Sequence, residues 1–405
     1  MYNLQLRRSS SVNRDFVSKQ TTVHINKAIT DRDAPPKKKH VRGIILGTYE
    51  DKSSDFFYDI ASKLPIFSNP LICWKFLYVM HKLLRDGYKS SVKDGITHAA
   101  LIVRLQSVWV TDYSTCVNTF QNSVCNSSGY PVDCYLRLLI IRLRLHRKYE
   151  LLPGNLEIGS HELTFALGAL PDHMFQFTVD LMDALEEILG FGLTIVDSFS
   201  QVRSKIFTAA GQCKMAPVLL CLQDAAAIYE LVVHFLFKLH DLLGNDTMFG
   251  HRARFTSLHN SLKSFFEQAA HVQYFHSLVQ IPALSQKPPN FCQQSELTSY
   301  QTPKVTVDES DLPTSGDESS LSAVADGKTP CHSAADPNTV SSPTAALQNL
   351  DEDSCQLREK NSWPDEKLPK HSCNDLHSQT TVSPLSRNRP TNHSQCRNHM
   401  QSDDV

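Results

Sequence analysis

The sequence predicts an all-α fold, with helices stacked as a solenoid or layered array, followed by a disordered C-terminal tail. Three observations lead there. Glycine is scarce, 15 in 405 residues, where an average chain carries about 7%. Through roughly the first 290 positions apolar residues recur at helical spacing, with no strand–helix–strand alternation and no internal repeat. Residues 301–405 hold only 14 Leu, Ile, Val and Phe among 105 positions, below the roughly 20% at which burial offsets chain entropy. The folded segment is too long for one bundle core, which favours stacked helical layers.

Taken in order, Pro35-Pro36 mark a helix start, because proline is tolerated in a first turn. Lys27 falls at the end of the helix before it. Residues 54–64 place Phe56, Phe57, Ile60, Ala61 and Leu64 at helical spacing. Residues 71–87 do the same with Cys73, Phe76, Leu77, Met80, Leu83 and Leu84, and Gly87 is a stop signal. A longer pattern runs from about Ile96 to Arg147, interrupted near Gly129-Tyr130-Pro131. Its second half, YLRLLIIRLRLHRKYE, alternates like a strand, but is read as a long helix whose wet basic face spans Arg137 to Lys148. Pro153-Gly154 marks a loop, and further helices are expected over 172–190, 216–243 and 250–279. Pro282, Pro288 and Pro289 end the folded part near Phe291. The expected domains are therefore 1–295, helical, and 296–405, a Ser/Thr/Pro-rich acidic tail.

Charge is balanced overall, 40 Lys+Arg against 42 Asp+Glu, which excludes a bulk polyanion binder. It is unevenly placed, however. Residues 301–405 carry 9 basic and 16 acidic side chains, whereas residues 1–42 carry 10 and 3. The N-terminus, MYNLQLRRSS, has no apolar core of a secretory signal. The longest apolar stretches, such as 136–141 and 231–237, fall short of the ~18 residues of a membrane span. Eleven cysteines at irregular spacing contain no C-x-x-C pair. A soluble protein of a reducing compartment is expected.

No phosphate-binding glycine loop, H-E-x-x-H or G-x-S-x-G occurs, so no enzyme is expected, and no cofactor or metal. His234 and His240 lack metal-ligand helical spacing, and Glu186-Glu187 reads as a solvated helix face. The unusual segment is Pro35-Pro36-Lys37-Lys38-Lys39-His40. A helix start carries the positive end of the macrodipole and favours acidic residues, yet here it holds three lysines. An anion held by the open N–H groups and the ammonium groups would make sense of that, with Lys27 folding back onto it. A solvated charge run or import signal, a phosphate ligand, and nucleic acid are the three readings of the pattern itself. Nucleic acid is the weakest, because neither a broad basic stripe nor stacking aromatics accompany the cluster.

KAITDRDAPPKKKH, residues 27–40, resembles the phosphoinositide-binding signature of ANTH domains. ILGTYED (45–51), CWKFLYVMHKLLRDG (73–87), PGNLEI (153–158), TAAGQCKMAP (208–217), LFKLH (236–240), GHRARF (250–255) and VQYFHSLVQIP to PPNF (272–291) look like the huntingtin-interacting protein family and its yeast actin-patch relatives. The matches run in order across residues 13–291. The resemblance implies an ANTH-type helical solenoid that binds inositol lipid headgroups of the inner leaflet in clathrin-mediated endocytosis. It implies a surface site at Lys27, Lys37, Lys39 and His40, with Lys38 interposed and auxiliary. The partners it implies are phosphoinositide membranes, clathrin and other endocytic adaptors, and no nucleic acid. The place it implies is the cytoplasmic face of the plasma membrane and clathrin-coated pits. Family members continue into a coiled coil and an actin-binding domain; no sustained heptads follow residue 295 here, so actin contact is implied only for a longer form. In the tail, LQNLD (347–351) approximates a clathrin box, and Asp336-Pro337-Asn338 begins like an adaptor-appendage motif. Thr302, Thr329, Ser342 and Ser383 each precede proline and are candidate phosphorylation sites.

Overall fold

The computed structural model describes residues 19–110, 129–159, 162–163, 170–199, 203–243, 246–293 and 295–307. The tail from residue 308, with its linear motifs and its expected disorder, lies outside the described residues. Helix α1 covers residues 19–28. It is followed by α2 (Lys38–Asp51), α3 (Asp55–Ala61), α4 (Pro70–Asp86), α5 (Ser91–Thr97), α6 (Ala99–Trp109) and α7 (Gly129–Lys148). The chain continues through α8 (Pro171–Asp197), α9 (Ala209–Leu243), α10 (Phe249–Ala270) and the short α11 (Ser295–Ser299). Strands β1 (Val279–Gln280) and β2 (Thr306–Val307) pair antiparallel, Val279 opposite Val307.

Successive helices stack in layers. Helix α7 lies against α4, α5 and α6 on one side and α8 on the other, and α8 packs in turn on α9 and α10. The apolar stripes meet in a core that extends from Ile25 to Val305. This is the all-α solenoid the periodicity anticipates.

Local chemistry fixes the helix ends. Asn69 caps α4, its side-chain oxygen accepting from the N–H groups of Leu71 (3.0 Å) and Ile72 (3.1 Å), with Pro70 in the first turn. Asp94 of α5 reaches back to the start of α3, accepting from the Ser54 backbone N–H at 2.6 Å. The long pattern from Ile96 resolves into α5, α6 and α7; residues 111–128, between the last two, lie outside the described residues.

The helix expected over 250–279 ends at Ala270, and Val279 lies in β1. Three further expectations from the sequence need correction. Helix α9 begins at Ala209, not near 216, and runs straight through Pro217. Proline lacks the N–H that would bond the carbonyl four residues back, which is that of Cys213. The Trp74 indole N–H of α4 donates to that carbonyl at 3.0 Å, so the break costs no unsatisfied group. By length and composition α9 also meets the criterion for a membrane span, but 83% of its most apolar window is buried inside the protein. Second, the basic face of α7 is partly interior. Arg142 and His146 are buried, and Arg142 pairs with Asp224 of α9, which also binds Arg85 and, at 2.9 Å, His81. The counter-charge sits on a distant helix that local pattern cannot reveal. Third, packing continues past residue 295. Val305 is buried, and Tyr300 donates to Glu230 of α9 at 3.1 Å.

Candidate anion-binding site

The basic cluster is built where α1 meets α2. The two helices run antiparallel and approach closely through glycine. A Cβ on Gly43 would stand 2.7 Å from the His24 ring, and one on Gly47 would stand 2.8 Å from the Thr21 hydroxyl. Without side chains at 43 and 47, one helical turn apart, α1 beds directly on the α2 backbone. That contact brings the end of α1, with Lys27, alongside the start of α2.

The connecting loop is pinned from below. Lys75 of α4 is 1% exposed, and its ammonium donates to the carbonyls of Thr30 (2.9 Å) and Arg32 (2.5 Å) and to the Thr30 hydroxyl (3.2 Å). Burial lowers its pKa, while Asp33 and Asp31 oppose the shift. A buried ammonium saturated by three oxygens is a rigid post, and it holds the loop so that Pro35-Pro36 lead into α2.

Helix α2 starts at Lys38, so the two prolines lie just before it rather than in its first turn. Lys37 is the N-cap, extended at φ −63°, ψ 129°, with no side-chain cap bond and no acidic residue in the first turn. Lys27, Lys37 and Lys39 are exposed, and Lys38 is half-buried. At about 100° per residue, Lys38 is turned well away from Lys39 around the helix.

His40 is the inner member of the cluster, 8% exposed. Its Nδ1 lies 3.0 Å from Nδ1 of His24, and the two rings are tilted at 50° with centroids 5.3 Å apart. One Nδ1 donates and the other accepts, so the bonded pair cannot hold both rings doubly protonated. Burial is the main cause that lowers the His40 pKa, followed by His24, Lys27, Lys39 and Lys37. Lys27, Lys37 and Lys39 thus all act on one imidazole, although Lys27 comes from a different helix. His24 was not singled out by sequence. Its only local signal is its place one turn before Lys27, and that gains meaning only once Gly43 is seen to receive the ring.

The two other histidines weighed in the sequence have protein partners. His234 bonds Glu230 at 2.8 Å, and His240 bonds the Leu236 carbonyl at 2.7 Å. Glu186 is tied, with Asp183, to Arg254 of α10. Among the described residues no group of three or more His, Cys, Asp or Glu is placed to hold a metal ion.

Comparison with known proteins accounts for the same span. The ANTH domain family model matches residues 20–301. Human Huntingtin-interacting protein 1 is 36% identical over 294 residues, covering 73% of this chain and 27% of that protein. Huntington interacting protein related 1 of Caenorhabditis elegans is 34% identical over 281 residues, 69% of this chain and 29% of that one. The chain therefore spans between a quarter and a third of the length of these relatives. Among solved structures, the ENTH domain from epsin-2 in complex with phosphatidylinositol 4,5-bisphosphate aligns with TM-score 0.58 and 22% identity, over 67% of this chain and 98% of that one. The endocytic adaptor complex AENTH aligns with TM-score 0.53 and 22% identity, over 64% and 95%. Those two likenesses establish the fold. With the family match reaching from the helix that bears Lys27 to the segment that docks on Glu230, the chain belongs to the ANTH domain family.

Proposed function

We propose that this protein is a peripheral membrane adaptor of endocytosis that recognises phosphoinositide headgroups, phosphatidylinositol 4,5-bisphosphate foremost, through Lys27, Lys37, Lys38, Lys39 and His40. The observation that carries the reading is a helix start with three lysines and His40 and no acidic residue in its first turn, against which the close approach at Gly43 and Gly47 lays the helix that bears Lys27. Backbone N–H groups, the helix dipole and mobile ammonium groups together suit a multiply charged phosphate at a fluid interface. Half-exposed Val23 and Leu46 lie one and two turns from Lys27 and Lys39 on the same helix faces, which suits contact with a bilayer rather than bulk water.

Support also comes from relatives. The fission yeast protein end4, 22% identical over 66% of this chain, is named as an endocytosis protein, and the epsin-2 ENTH domain was solved with the lipid. Clathrin and other adaptors are the proposed protein partners, at the cytoplasmic face of coated pits. Each lysine near an anionic leaflet contributes about 1 kcal/mol, so general attraction by four gives only about millimolar affinity. Stable recruitment then rests on headgroup contacts and several copies.

The test is co-sedimentation of the full chain with vesicles of phosphatidylserine, or of charge-matched mixtures containing each phosphoinositide. The wild type is expected to pellet selectively with one phosphoinositide, and Lys37→Glu/Lys39→Glu to lose that selectivity with unchanged helical circular dichroism. Binding that follows total charge alone, equal in both chains, would make the cluster plain surface charge on a helical scaffold.

A further inference from the structure

The segment after α11 is tied to the helical stack through one carboxylate. Thr302 donates its hydroxyl to Glu230 Oε1 at 2.8 Å, and Tyr300 donates to Oε2 at 3.1 Å. His234, one turn along α9, bonds the same carboxylate at 2.8 Å. Burial by itself would raise the Glu230 pKa, but hydrogen bonds from His234, Thr302 and Tyr300 outweigh it and hold the carboxyl below its usual range. Glu230 is therefore an anion, and every group the segment sends to it is a neutral donor. Beyond Thr302, buried Pro303 and Val305 and the β2–β1 pairing complete the attachment.

Thr302 is exposed, stands in chain without regular structure and is followed by proline, the pattern that proline-directed kinases read. We propose that Thr302 is a phosphorylation site whose phosphate releases residues 300–307 from Glu230. In the reaction the Thr302 oxygen forms a bond to the γ-phosphorus of ATP, the bond between that phosphorus and the bridging oxygen breaks, and ADP leaves. The hydroxyl proton passes to the kinase's base. Two things then change at Glu230. The hydroxyl donor is lost, and a group carrying about −1.5 to −2 charges stands beside the carboxylate in its place. Like charges at that distance in a half-buried site shift the docking equilibrium by on the order of a hundredfold.

Burial of Pro303 adds a second consequence. A kinase that must grip the proline acts on the undocked segment, so the docked form is a poor substrate and phosphorylation traps the open one. Modification is thus coupled to release in both directions.

The test uses the full chain with ATP and a mitogen-activated or cyclin-dependent kinase, read by mass spectrometry and by amide hydrogen exchange. Thr302 is expected to be modified slowly in the wild type and severalfold faster in Glu230→Gln. Phosphorylation is expected to speed exchange in residues 300–307 and 279–280 by on the order of a hundredfold, with the middle of α9 still protected. Thr302→Val, which loses the donor without gaining charge, is expected to change exchange only severalfold. Three results would overturn the proposal: phosphate at Thr329, Ser342 or Ser383 but at Thr302 in neither chain; unchanged exchange once Thr302 is modified; or equal loss of protection in Thr302→Val.

Discussion

At the scale of single residues, His40 gives the proposed site a pH dependence of defined sign. Its pKa in the free protein is lowered, first by burial and then by His24 and three lysines, so the ring is uncharged at neutral pH. A phosphate bound beside it favours the imidazolium and raises that pKa. Proton uptake is then linked to binding, and affinity strengthens as pH falls from 8 to 6, by at most about tenfold for each pH unit. The phosphate itself loses charge over the same range, so the informative quantity is the difference between wild type and His40→Gln in vesicle titrations. Equal slopes would remove a charged His40 from the site. The lysines and His40 were legible because three like charges at a helix start violate a local rule. His24 was not, because its role depends on which surface of α2 lies across from it.

At the scale of elements, helix contacts position the side chains. Replacing Gly43 by alanine places a methyl group 2.7 Å from the His24 ring, which forces the ring out of its place and away from His40. The expected cost is about 1–3 kcal/mol in urea unfolding, together with weaker phosphoinositide binding although no lysine has changed. The α4–α9 contact makes a sharper prediction. Trp74→Phe leaves the Cys213 carbonyl without its donor, at about 1–3 kcal/mol beyond the packing loss. Pro217→Ala supplies an N–H four residues on, so the double variant should recover about 1 kcal/mol relative to Trp74→Phe in a double-mutant cycle. Additive losses would mean that the indole contributes by packing alone. Helix interiors were legible from periodicity, as in α4 and α10. The start of α9 was not, because Pro217 reads as a boundary until the indole that compensates it is located.

At the scale of the whole molecule, three layers are tied by charges buried between them. Asp224 of α9 receives Arg85 of α4 and Arg142 of α7. Burial, and then Arg85, lower the Arg142 pKa to about 9, which still leaves it charged at neutral pH. Burial also lowers the His81 pKa, with Arg142 and Arg85 acting in the same direction, so His81 joins the network as a neutral ring. Asp224→Asn strands two guanidinium groups without a counter-charge and is expected to destabilise the fold by about 3–5 kcal/mol in chemical denaturation. A loss under 1 kcal/mol would show that water reaches the network. This tie was invisible in the sequence, where Arg142 lies in an apparent surface stripe 82 positions before its partner. The packed chain also outruns the proline-rich boundary, because Glu230 and β1 hold a segment that lacks helical periodicity. The tethered indoles have a further, optical consequence. Trp74 and Trp109 each donate to a main-chain carbonyl, of Cys213 and Ile66 respectively, and they sit on different helices, α4 and α6. Their fluorescence therefore supplies two built-in clocks, the buried Trp74 reporting separation of α4 from α9 and the half-buried Trp109 reporting departure of α6 from the loop before α4. With Trp363 replaced by phenylalanine, any order in which these two contacts open would be read as two emission shifts without attaching a dye.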